Sequence, residues 1–190
     1  MRSLKYVALL VVVVSLSGCT TIWTYAGVRY PTATAAEQAA RSNIRQSLEL
    51  ISKRDTPLAE SALIFTPSPT WARTGVLIKR HASDDQIDYV ATVLYYGYYG
   101  MAQAIQKRGI FKNVEIQQFE QTDPLSNSAF AYIIWLRLEG PNSAQWMIAP
   151  GNNVSLASPI TVSPISGVGD RIEQVLHGVQ EYVKSHNGNG

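Results

Sequence analysis

One cysteine, Cys19, occurs in 190 residues, so no disulfide can form within the chain. Whatever folds here must be held by packing and hydrogen bonds. Histidine is scarce as well: His81, His177 and His186 are the three. Only His81 has acids close by, Asp84 and Asp85, and two acids opening a helix read as caps more readily than as metal ligands. No metal site is expected. Neither sign of charge dominates, with 16 basic and 14 acidic residues, which leaves no electrostatic footprint for nucleic acid. The longest apolar run, Tyr6 to Leu16, falls short of the roughly 20 residues needed to cross a bilayer. Gly-x-Ser-x-Gly and Gly-x-Gly-x-x-Gly are both missing. Ser166 to Gly169 could offer amides to an anion but reads better as a flexible lead into a helix. No catalytic residue is expected, and no enzyme.

What the chain does have begins at its start. Arg2 and Lys5 precede the apolar run, and Ser17, Gly18 and Cys19 follow it. A basic lead, a short apolar core and small residues at a cut site make a secretory signal peptide. Leu16-Ser17-Gly18-Cys19 resembles the lipobox of bacterial lipoproteins. The resemblance implies cleavage before Cys19, a diacylglyceryl group on its thiol and an acyl chain on the new amino group. No cofactor beyond that covalent lipid is implied. Thr20, where an aspartate would favour inner-membrane retention, leans toward an outer-membrane lipoprotein facing the periplasm. One acyl chain holds a protein only marginally, whereas several make release slow. Loss of Arg2 and Lys5 with the leader leaves 14 basic residues against 14 acidic ones, a neutral mature chain.

The expected organisation is a signal peptide over 1–18, a lipidated tether over 19–33 and an N-terminal helix with its linker over 34–60. An α/β domain then covers 61–185, and a disordered tail 186–190. The tether carries Trp23, Tyr25 and Tyr30 with no clear period. Thr34-Ala-Ala-Glu37 has the capping-box pattern, and Ile44, Leu48 and Ile51 continue at helical spacing to about Lys53. Residues 61–66 read as a buried strand, and residues 74–80 as a second extended piece. Ser83-Asp-Asp-Gln86 opens a long helix that Gly109 closes. Its apolar face is Ile87, Val90, Ala91, Leu94, Tyr98, Met101 and Ile105.

Strands follow at 111–116, 129–139 and 144–149. The second alternates Phe130, Tyr132, Ile134, Leu136 and Leu138 with a half-apolar opposite face, the pattern of a central strand. Residues 140–143 form its turn, and weaker strands are expected at 154–156 and 160–162. A last helix over 170–184 shows an apolar stripe of Ile172, Val175, Leu176, Val179 and Val183. This order gives an α/β (α+β) two-layer sandwich. A mixed or antiparallel sheet of four to five strands would be packed by a long central helix and a C-terminal helix. The passage Ala104 to Ile116, a helix running through Gly109 into Phe-x-x-Val and a strand, resembles the TolB N-terminal, curli-secretion CsgG and LpoB-like lipoprotein domains. The element order is also similar to LptE. These resemblances imply a part in assembling envelope machinery rather than catalysis.

Tyr95-Tyr-Gly-Tyr-Tyr-Gly100 stands out inside the long helix. Relative to Leu94, Tyr95 falls about 100° round, Tyr99 about 140° and Tyr96 about 200°, so rings turn toward the outer face. Two glycines in a helix interior each cost about 1 kcal/mol, which suggests close approach by another backbone or side chain. Tyr95, Tyr96 and Tyr99 are therefore the expected contact residues, for other envelope proteins or a second copy, with the first helix of the same chain as the competing cover. The membrane, through the lipid, is the other partner. The alternative reading is a lipid-, glycan- or peptidoglycan-binding module in which Trp71, Trp135 or Trp146 lines a groove. A hydrolase is the third.

Overall fold

The computed structural model describes residues 22–70, 73, 83–119, 124–138, 144–162 and 167–187. A small hairpin, β1 (Trp23–Tyr25) and β2 (Val28–Tyr30), leads into α1 (Ala33–Glu49) and then β3 (Ala59–Pro67). After α2 (Asp84–Arg108) come β4 (Phe111–Phe119), β5 (Tyr132–Leu138) and β6 (Ala144–Pro150). A 3-10 turn (Val154–Leu156), β7 (Ser158–Ile160) and α3 (Val168–Asn187) complete it.

The main sheet has the order β4-β3-β5-β6-β7. β3 lies parallel to both β4 and β5, while β6 and β7 are antiparallel to their neighbours. Parallel neighbours need a crossover, and α2 supplies it between β3 and β4. On one face Ala62, Ile64, Tyr132, Ile134, Leu136 and Ile148 meet Met101, Ala102 and Ile105 of α2 and the full apolar stripe of α3. The fold is the expected two-layer α/β sandwich with a mixed sheet.

β5 is central, as its two-sided pattern predicts. Its second face is more than half apolar in effect: Ile133 and Trp135 are buried with Leu63, Met147 and Ala149, and Phe65, Phe130, Val154 and Ala157 pack on them.

α2 is fixed at both ends by the expected chemistry. The Ser83 amide donates to Gln86 Oε1 at 3.1 Å, and Gly109 takes φ +70°, the left-handed region where a side chain is disfavoured. Its burial, however, is wider than one stripe. Tyr89, Val93 and Gly100 are buried as well, because α1 and the β1–β2 hairpin lie over the side of α2 that faces away from the sheet. Tyr25, Ala36, Ala40, Tyr89 and Val93 form that second cluster, with Trp23 and Tyr30 against it. The N-terminal helix thus packs on its own domain.

Four local expectations are corrected. Residues 22–30, expected without a clear period, form a hairpin turned by Ala26 (φ +49°) and Gly27 (φ +80°), and their aromatic rings pack on the domain. Each strand is only three residues long, too short to show a period. The cap of α1 is Thr32, not Thr34: Thr32 Oγ1 accepts from the Ala35 amide at 3.1 Å, and the earlier start brings Ala33 onto the aromatic cluster. The helix ends at Glu49 rather than near Lys53, so that Ile51 can turn into the main core. The Leu48 carbonyl at that ending accepts both the Ile51 amide, at 3.1 Å, and Lys107 Nζ, at 2.6 Å. Residues 154–156 make a 3-10 turn, not a strand, with Asn153 Oδ1 accepting from the Ser155 amide at 3.1 Å.

At the other end α3 runs to Asn187, past the expected start of the tail. Asn187 accepts from the Tyr132 hydroxyl at 2.7 Å and donates to the Leu58 carbonyl. The extended piece expected at 74–80, the turn at 140–143 and residues 188–190 lie outside the described residues.

Gly97 and Gly100 have opposite surroundings. A Cβ on Gly100 would collide with Ile44 of α1, whereas among the described residues nothing lies within 4 Å of one on Gly97. Gly97→Ala is expected to stabilise the chain by about 0.5–1 kcal/mol, and Gly100→Ala to destabilise it by about 1–3 kcal/mol through overpacking. Urea unfolding of the two variants measures both, and the same sign for both would contradict the packing of α1 on α2.

Candidate contact surface

Tyr95, Tyr96, Tyr98 and Tyr99 occupy consecutive turns of α2, and each is half-buried. Helical spacing separates them into three environments. Tyr98 points into the main core beside Met101 and Ile105, and desolvation pushes its hydroxyl up to about 12. Tyr96 turns toward α1. The Arg41 guanidinium sits 4.1 Å from the centre of its ring and donates to its hydroxyl, a cation–π arrangement on a polar handle. Tyr95 and Tyr99 lie stacked with centroids 5.9 Å apart and planes 18° apart. The Tyr95 hydroxyl accepts from Gln118 Nε2 of β4 at 3.1 Å.

These contacts divide the residues predicted from sequence. Tyr96 joins the α1–α2 junction through Arg41, while its ring also meets Tyr95 with centroids 5.6 Å apart. Tyr95 and Tyr99 form a joined aromatic surface between α2 and the outer strand of the sheet, and they keep solvent-facing area. Among the described residues none comes within 4 Å of a Cβ on Gly97, beside Tyr96 and Tyr98. Tyrosine combines apolar area with a hydrogen bond and is enriched where proteins meet. Arg41 and Gln118, which orient two of the rings, carry no local sequence signal, because each lies far from the tyrosines in the chain.

Other candidates fall elsewhere. His177 is exposed on α3, as a flank residue should be. His186 stacks on Tyr182 with centroids 3.9 Å apart, and its Nδ1 lies 2.8 Å from the Tyr182 carbonyl. Asp84 and Asp88 pair with Arg73 across the start of α2. Trp135 and Trp146 are core residues, only 1% and 6% exposed, and neither lines an open groove. The lipobox residues Leu16, Ser17, Gly18 and Cys19, together with Trp71 and His81, lie outside the described residues.

Tyr89 holds α2 on its second side. The Tyr89 hydroxyl donates to the Thr24 carbonyl at 3.0 Å, and Trp23 meets the ring edge-on at 5.1 Å. Burial first, and then the Glu37 carboxylate, push this hydroxyl up to about 12. Because the folded value exceeds the unfolded value near 10, the stability it contributes is complete below pH 10 and is lost as pH rises toward about 12. Urea midpoints are expected to fall across that window, and to fall less in Tyr89→Phe. An equal fall in the variant would contradict this assignment. No family model, curated protein or solved structure matches the chain.

Proposed function

We propose that this chain is a lipid-anchored periplasmic lipoprotein that serves, without catalysis, as an accessory or assembly subunit of a bacterial envelope complex. The anchor is Cys19, processed at the Leu16-Ser17-Gly18 lipobox, in the outer membrane and facing the periplasm. The contact residues are Tyr95 and Tyr99, with Tyr96 at their edge.

The observation that carries the contact reading is the stacked pair Tyr95–Tyr99, half-exposed on a helix whose other sides are occupied by its own chain. A ring pair that only filled the core would sit beneath α1 or the sheet, as Tyr89 and Tyr98 do. The groove-lining alternative loses support with Trp135 and Trp146 inside the two cores.

Two measurements test the parts separately. Mass spectrometry of the protein from its native host is expected to show an acylated Cys19 as the first residue, and globomycin is expected to leave the precursor uncut. An unacylated end would remove the anchor. Replacing Tyr95 and Tyr99 by serine is expected to shift the chain from an envelope complex to a smaller species on a native gel, with the far-ultraviolet spectrum unchanged. Tyr96→Ser, which loosens the α1–α2 junction and removes one neighbour of the Tyr95 ring, is expected to shift it less. An unaltered complex in the double variant would remove the contact surface.

A further inference from the structure

The two edges of the sheet are guarded very differently. β7 has three residues with Pro159 at its centre, and a proline within a short strand is a standard defence against edge pairing. β4 has nine residues, Phe-Lys-Asn-Val-Glu-Ile-Gln-Gln-Phe, with neither proline nor glycine. It pairs with β3 along its length, and among the described residues no strand pairs with its outer edge. Lys112, Asn113, Glu115, Gln117 and Gln118 are all exposed. Lys112, the one cation that could guard the edge, is drawn to Glu60 at 3.2 Å. Among the described residues, a row of main-chain donors and acceptors is therefore left open beside Tyr95, which holds Gln118.

We propose that β4 pairs antiparallel with β4 of a second copy of this chain, about a twofold axis through Ile116. This names the occupant of the β4 side of the Tyr95–Tyr99 surface, and so rests on reading that region as a contact; it does not depend on the lipid anchor.

The register follows from symmetry and charge. Such an axis stands normal to the sheet and keeps each residue on its own face, so it must pass through a residue and not between two. Val114 and Ile116 pack toward the helices, and Asn113, Glu115 and Gln117 lie on the other face. An axis through Glu115 would set two carboxylates against each other. An axis through Val114 would lay Lys112 over Ile116 of the second copy. With the axis through Ile116, two isoleucines meet, Glu115 faces Gln117, and Gln118 faces Val114. No like charges are opposed, whereas an axis through Asn113 would lay Lys112 against Val114 and one through Gln117 would lay Ile116 against Gln118. Gln118 carries the Tyr95 hydroxyl, so the tyrosine pair flanks the junction on the helix side.

The test is a charge series on exposed positions, with native mass spectrometry of the full chain in mild detergent over a dilution series. The unaltered chain is expected to be a dimer at micromolar concentration. Within each chain Gln117 Nε2 donates to the Glu115 carboxylate; Gln117→Glu breaks that contact and, in the dimer, also sets two carboxylates together twice by symmetry, and is expected to weaken the dimer about tenfold. Adding Glu115→Lys to Gln117→Glu restores opposite charges across the axis and is expected to recover the dimer. Far-ultraviolet spectra check that the fold is retained.

A chain that stays monomeric at all concentrations would overturn the proposal. So would a dimer indifferent to Gln117→Glu, or one that the second substitution does not rescue. If the chain is monomeric while the Tyr95 and Tyr99 variants still disperse the envelope complex, this inference alone fails. If the charge series behaves as expected while those variants leave the complex whole, the contact reading fails instead.

Discussion

Everything in this fold leans on α2 being packed from two sides. Met101, Ala102 and Ile105 seal it to the sheet, while Tyr89, Val93 and Gly100 receive α1 and the hairpin. Burial of large side chains stabilises by roughly 1.5–3 kcal/mol each, so a helix with two apolar sides is held far more firmly than an amphipathic surface helix. That grip is also a restriction. Little of α2 remains free, and the free part carries Tyr95 and Tyr99.

The cis packing of α1 changes what the tyrosine motif means. Gly100 is a notch for Ile44, so one of the two glycines is explained by the chain's own architecture. Gly97 is not, and neither is the stacked pair beside it. Arg41 over Tyr96 extends the α1–α2 junction outward and sets the limit of the exposed rings. The surface left over is narrow and adjoins the longer edge of the sheet. An extended strand and an aromatic pair side by side offer main-chain pairing together with side-chain contact, the combination used when a strand is added to a sheet.

Much of this was legible in the sequence where the signal is local and repeated. The α3 stripe Ile172, Val175, Leu176, Val179 and Val183 is buried as its spacing predicts. Ser83 and Gly109 mark the ends of α2, and alternation through Tyr132, Ile134 and Leu136 identifies the central strand. The hairpin was not legible, because three-residue strands show no period and Ala26-Gly27 is a weak turn signal. Nor was the second packed side of α2: Tyr89 and Val93 fall off the main stripe, and only the return of α1 buries them. Thr32 and Thr34 offer the same cap chemistry, and the choice between them rests on Ala33 reaching the aromatic cluster. Of the candidate surface, the tyrosines were visible in sequence but their division was not, since it is set by Arg41 and Gln118 from distant elements.

The proposed contact surface is the part of α2 beside β4, and not the outer side of α3. A photo-reactive phenylalanine analogue placed at position 95, and in a control chain at His177, tests it in intact cells of the native host. The account expects discrete protein adducts of higher mass from position 95 and none from position 177. Lipid-only adducts, or the same pattern from both positions, would contradict it.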